Sequence, residues 1–265
     1  MTPLRRPGPL PWGVALLLVL RLPSFVEPPW YTDEAGYTTA GRAMLDGRHL
    51  YSGIWSNKPP LQTWTVAGTI RLLGTSEAAL HALTLLVGLL TLAAVAYAAR
   101  RLMSPRRATA AVLASALLLG LPITGAQLAL PDTLLCAATT WAGALLIPRL
   151  AGVTPAPATR LWPVLIGLLA AAAVGYQQTA VADAAAFGLI LLLSPRGGRS
   201  RLLAYSAAVV GVTATWVGIF TARAGAHTMA FALLGFYGQY SAAWSAPSTG
   251  CSSPSPSACC SRGPG

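Results

Sequence analysis

Long apolar runs, closed again and again by arginine, leave this chain room for little but helices packed in lipid. Runs at 11–26, 78–99, 108–126, 133–147, 161–174, 179–193 and 202–221 approach the length of about 20 residues that crosses a bilayer, where every backbone N–H and C=O must find its partner within the segment. A β-barrel would call for strands of alternating polarity instead. The expected fold is all-α: a polytopic transmembrane helical bundle of seven or eight spans, the eighth beginning after residue 226.

Charged residues make up 9% of the 265 and hydrophobic ones 54%, against about 25% charged in an ordinary soluble domain. That excludes the soluble class. The net charge of +11 comes from arginines at the ends of apolar runs, not from a basic face interleaved with aromatics, so nucleic acid is not an expected partner. Topology accounts for them: the loops at 100–107, 148–160 and 196–201 belong on the cytoplasmic side with Arg5 and Arg6. The N-terminus is then cytoplasmic and 1–26 an uncleaved membrane anchor. Residues 27–77, the turn before Asp132, the break at 175–178 and the segment after Arg223 face outward. Cys136, Cys251, Cys259 and Cys260 have neither zinc-site partners nor even spacing, so no metal, other cofactor or disulfide framework is expected. Residues 78–245 complete the bundle, and 246–265, rich in Ser, Pro, Gly and Cys, read as a disordered tail. The change in character at Ala246 suggests an interrupted reading frame or domain.

One polar interval breaks the apolar pattern. Residues 33–64 hold Asp33, Glu34, Arg42, Asp46, Arg48, His49, Asn57 and Lys58, the only lysine of the chain. Tyr37, Ala40, Met44 and Leu45 recur at helical spacing opposite Glu34, Thr38, Arg42 and Asp46, which predicts an amphipathic helix lying in the interface. Pro59 and Pro60 suit the first turn of a second such helix, with Leu61, Trp64, Gly68 and Leu72 along one face. Asp33 and Asp132 each precede a helix and would serve as N-caps, but both fall on the outer side, where a carboxylate can act as a general base. Lys58 is suited to holding a phosphate as a point charge, with Arg42 as an auxiliary. Asp183 lies one turn inside an apolar run, an expensive place for an acid, beside Gln177 and Gln178. His49, His81 and His227 have no metal-like spacing and are expected to be polar or structural.

Asp33-Glu34, Tyr37, Met44-Leu45-Asp46-Gly47, Tyr51, Lys58-Pro59-Pro60-Leu61, Trp64, Leu73-Gly74, Ser76-Glu77-Ala78 and Pro131-Asp132 together resemble the first outer loop and following spans of GT-C type membrane glycosyltransferases. The protein O-mannosyltransferases and the bacterial aminoarabinose transferases that modify lipid A are the most similar. The resemblance implies an inverting transferase that passes a sugar from a polyprenyl-phosphate donor to a lipid, glycan or protein acceptor at the outer face of the cell membrane. It makes Asp33 the base, Asp132 the second acid and Lys58 the donor-phosphate lysine, with Glu34, Tyr37, Arg42, Gln177, Gln178 and Asp183 as further binding residues. At Gly175-Tyr176-Gln177-Gln178 the chain carries glutamines where the family places a lysine. Two other readings remain at this stage: a transporter or flippase of a lipid-linked or anionic solute built on broken helices, and an inactive remnant of a longer transferase.

Overall fold

A computed structural model describes residues 8–27, 31–154, 161–196 and 198–238. Arg5, Arg6, the prolines of the 155–160 loop, Gln239 and Tyr240, and the expected disordered tail at 246–265 lie outside the described residues, as do Cys251, Cys259 and Cys260. Ten α-helices follow in order among those described: α1 (Pro9–Arg21), α2 (Thr32–Leu45), α3 (Pro60–Leu73), α4 (Glu77–Leu102), α5 (Pro105–Gly120), α6 (Pro131–Leu150), α7 (Leu161–Tyr176), α8 (Val181–Leu193), α9 (Arg199–Ala224) and α10 (Ala226–Ala230). No strand occurs among the described residues, so the all-helical expectation holds. Four stretches, Pro9–Val26, α4, α6 and α9, are long and apolar enough to cross a membrane, while α7 and the Gln178–Leu193 stretch are shorter apolar helices. Every apolar run read from the sequence contains a helix, though not always to its end.

Two boundaries differ from expectation, each for a local reason. The run at 108–126 does not stay helical to its end: α5 stops at Gly120 because Pro122 forces Leu121 into an extended conformation (ψ 133°), and a 3₁₀ turn at Pro122–Thr124 follows. The eighth helix is broken from its first turn. α10 passes into a π-turn over Phe231–Gly235, a form often found at functional sites.

The bundle has two chemically different ends. α4 and α6 run side by side in the same direction, since Tyr97 stacks near Trp141 (5.7 Å between centroids) while Thr84 near the start of α4 donates to Gln127 O just ahead of α6 (2.8 Å). Their last turns, with Arg100, Arg101 and Arg149, therefore share one end. Arg149 and Arg201 both lie over the Trp162 ring, and Arg196 donates to Leu150 O (3.3 Å), which brings the other arginine loops to that end too. Asp132, Gln177, Lys58 and the start of α2 occupy the opposite end. The separation of the arginine-rich loops from the polar interval, which keeps Arg42 and Arg48 of its own, is thus built into the helix order.

Packing sets how rigid this frame is. One core joins α6, α7, α8, α9 and the 50–54 loop through Leu146, Trp162, Ile166, Leu191, Tyr205 and Phe220; a second joins α1, α4 and α5 through Leu17, Leu92, Val112 and Ala116. α7 and α9 meet closely at Gly167, where an added Cβ would lie 2.5 Å from the Tyr205 carbonyl oxygen and 2.8 Å from Ala208 Cβ. Small residues of this kind let backbones meet in lipid, where apolar burial alone does not drive helices together. Gly167→Ala is expected to cost about 1–3 kcal/mol as an overpacked contact, read as a lower unfolding temperature in detergent. Gly218→Ala, with no atom within 4 Å of the new methyl, is the control that does not lose stability.

Candidate functional site

The first turns of α2 and α6 each expose one carboxylate. Helix α2 starts at Thr32 with Tyr31 as its cap, and α6 starts at Pro131 with Leu130 as its cap, neither cap using a side-chain hydrogen bond. Asp33 and Asp132 are therefore second residues of their helices, not N-caps, and both are exposed. The capping roles available from sequence are not used. Asp132 Oδ1 accepts a hydrogen bond from Gln177 Nε2 (3.3 Å), so the polar break after α7 orients one of the two acids.

Burial first, then the nearby Asp33, Tyr237, Asp132 and Tyr31, raises the pKa of the Tyr37 phenol above the ordinary tyrosine range. Lys58 completes the group from the other side, its Nζ donating to Tyr237 Oη (2.7 Å), to which Asn57 Nδ2 also donates (3.4 Å). The backbone beneath Lys58 is fixed by Tyr51 Oη donating to Lys58 O (2.7 Å). Gln178 Nε2 is shared between Asn57 O (3.2 Å) and Leu233 O (3.1 Å). The two glutamines thus tie the end of α7 to Asp132 and to the Lys58 loop. Beside them opens an apolar cavity of about 320 Å³, walled by Pro59, Val174, Gln178, Trp216, Met229 and Leu233 among others. It starts one residue from Lys58.

Glu34 does not face this group. The sequence put it on the polar face of α2, but the buried face runs through Glu34, Tyr37 and Gly41 because Gly41 lets α2 close on α3, where a Cβ would meet Val66 at 3.0 Å and the Ala67 nitrogen at 3.1 Å. Glu34 is 3% exposed, and its Oε1 accepts from the Ala129 amide (2.6 Å). Burial, the largest influence, raises its pKa against the opposing pull of that amide and of His81, and Glu77 raises it further. Fully buried Gln62 donates to the carbonyl of the same residue, Ala129 (2.9 Å). Both polar groups of Ala129 are thereby held, three residues ahead of Asp132.

Other expected residues stand apart. Arg42 is exposed in the last turn of α2, about 13 Å along the axis from Asp33 at 1.5 Å per residue. Asp183 is half-buried in the first turn of α8, and the glutamines beside it bond to Asp132, Asn57 and Leu233 instead. Tyr237 is the participant that sequence reading missed as a site residue. It lies 179 positions from Lys58, and its only signal was a Phe-Tyr-Gly-Gln-Tyr string at 236–240.

No curated protein and no solved structure matches the chain. A family model does, over residues 57–237, taking in Lys58, Asp132, Gln177, Gln178, Asp183 and Tyr237 and beginning downstream of Asp33. The span covers more than half of the sequence, so the chain belongs to the dolichyl-phosphate-mannose-protein mannosyltransferase family, and it is a membrane glycosyltransferase of the GT-C type.

Proposed function

We propose that the protein moves a sugar from a polyprenyl-phosphate donor to a lipid, glycan or protein acceptor at the outer face of the membrane, with inversion at the anomeric carbon. Asp33 takes the proton of the acceptor hydroxyl as its oxygen forms the new bond to the anomeric carbon. The bond from that carbon to the phosphate oxygen breaks, and polyprenyl phosphate leaves as an anion needing no general acid. Lys58 neutralises the charge that grows on the leaving phosphate, the interaction that contributes most when it strengthens in the transition state. Asp132 orients the acceptor or the sugar opposite Asp33, Gln177 and Gln178 hold that wall, and the apolar cavity beside Pro59 takes the first units of the prenyl chain. The transporter reading gives way to the family.

The observation that carries this proposal is a polar rim tied together by hydrogen bonds, Lys58 to Tyr237, Gln177 to Asp132 and Gln178 to the Asn57 carbonyl, beside an apolar cavity lined by Pro59. An anion with a lipid tail is the kind of donor such a rim, opening beside an apolar cavity, suits. The orientation rests on the arginine loops gathering at the other end, which the positive-inside rule puts in the cytoplasm. Protein reconstituted in vesicles with radiolabelled polyprenyl-phosphate mannose and an envelope extract tests it: label appears on an acceptor as polyprenyl phosphate is released. Label that stays on the donor, as in empty vesicles, sinks the reading.

Tyr237→Phe follows from the same geometry. Without the phenol oxygen, Lys58 loses its anchor but keeps its charge, and kcat/KM should fall about 2- to 10-fold, the worth of one ordinary hydrogen bond. A larger loss in single-turnover measurements would give the tyrosine a direct part in the chemistry.

A further inference from the structure

Beneath the rim, on the side of α2 away from the solvent, Glu34, Glu77 and His81 bring one ligand atom each to within 4.8 Å of one another. Glu77 and His81 sit four residues apart on one face of the first turns of α4, and Glu34 reaches them from α2. His81 Nδ1–H donates to the Ser24 carbonyl, which leaves the Nε2 lone pair as the free end of the ring. That atom has no hydrogen-bond partner and is buried, in a side chain 4% exposed, and it points at Glu34 Oε2 from 3.9 Å. The other oxygen of Glu34 is occupied by the Ala129 amide. A bare imidazole nitrogen and two carboxylates, those of buried Glu34 and half-buried Glu77, therefore lie close together.

We propose that this cluster is a binding site for a divalent first-row cation, zinc by preference, held by Glu34, Glu77 and His81. Imidazole and carboxylate are both ligands of zinc at about 2.0–2.2 Å, which sets neighbouring ligand atoms about 3.3 Å apart; the present spacing, within 4.8 Å, needs a contraction of up to about 1.5 Å. The Ser24 carbonyl fixes the ring in the tautomer that exposes Nε2, the arrangement by which outer partners orient metal-bound histidines. The three residues leave a position for water. The site holds the start of α2 to α4, so the ion would position Asp33 without touching substrate.

The test reads metal on the protein itself and is independent of sugar transfer, so its failure leaves the transferase reading standing. The full chain, purified in detergent, is stripped with a chelator and reloaded with Zn²⁺ or, for its visible absorption, Co²⁺. One equivalent per chain retained after desalting, with unfolding temperature raised over the stripped protein, is the expected result. His81→Ala and Glu77→Gln should each lose that equivalent. Glu77→Gln, which is half-buried and outside the Ala129 contact, decides the matter if His81→Ala does not fold. Absence of uptake by the unaltered chain overturns the proposal, leaving His81 and Glu34 as a polar contact between helices; full uptake by the foldable variants overturns it too.

Discussion

Asp33→Asn should lower turnover by about 10²- to 10⁴-fold, the range a positioned general base contributes, while the purified protein unfolds at an unchanged temperature. The second half of the expectation is what makes the first informative. Asp33 is exposed and caps nothing, so the amide replaces the carboxylate without disturbing a hydrogen bond that supports the fold. The residue beside it is the counterexample: Glu34 is buried and bonded to Ala129, and replacing it would confuse chemistry with stability. Transfer by Asp33→Asn at the rate of the parent would remove Asp33 from the mechanism and shift the role of base to Asp132. The assay should use single turnovers with labelled donor, since release of polyprenyl phosphate into the bilayer can otherwise mask a slower chemical step.

Lys58→Met should reduce kcat on the order of 10²- to 10³-fold, as loss of one preorganised electrostatic group at a developing oxyanion does. Methionine keeps much of the length and apolar stem but removes the charge, and no other lysine exists in the chain to replace it. Arg42 is too far along α2 to substitute, and Gln177 and Gln178 bring donors without charge. Lys58→Arg should recover only part of the activity, because a planar fork does not reproduce a compact ammonium held by one phenol oxygen. If instead KM for the donor rises and kcat stays constant, Lys58 binds donor and transition state equally and contributes nothing to the step itself.

How much of this was legible in the sequence depends on distance along the chain. The helices were legible because apolar period and length are local, and because proline and glycine punctuate them. The end of α5 was misplaced because apolar composition continues past Pro122 while helical geometry does not. The sharing of one end by Asp33 and Asp132 was also readable, since counting reversals between arginine loops needs no knowledge of packing. The face of α2 was not. A glutamate at helical spacing with Thr38 and Arg42 reads as solvated, and only the close crossing at Gly41 turns it inward. Tyr237 was hidden by sequence separation, and His81 by its apolar neighbours, although Glu77 four residues earlier was a signal that the pair shares a face.

The grip on Ala129 has a consequence for motion. Glu34 from one helix and Gln62 from the next hold the two polar groups of a single residue, and that residue leads directly into the turn bearing Asp132. The two acids at the rim are therefore linked through one short tether: Glu34, next to Asp33, grips Ala129, three residues ahead of Asp132, so a tilt of α2 is expected to act on the start of α6.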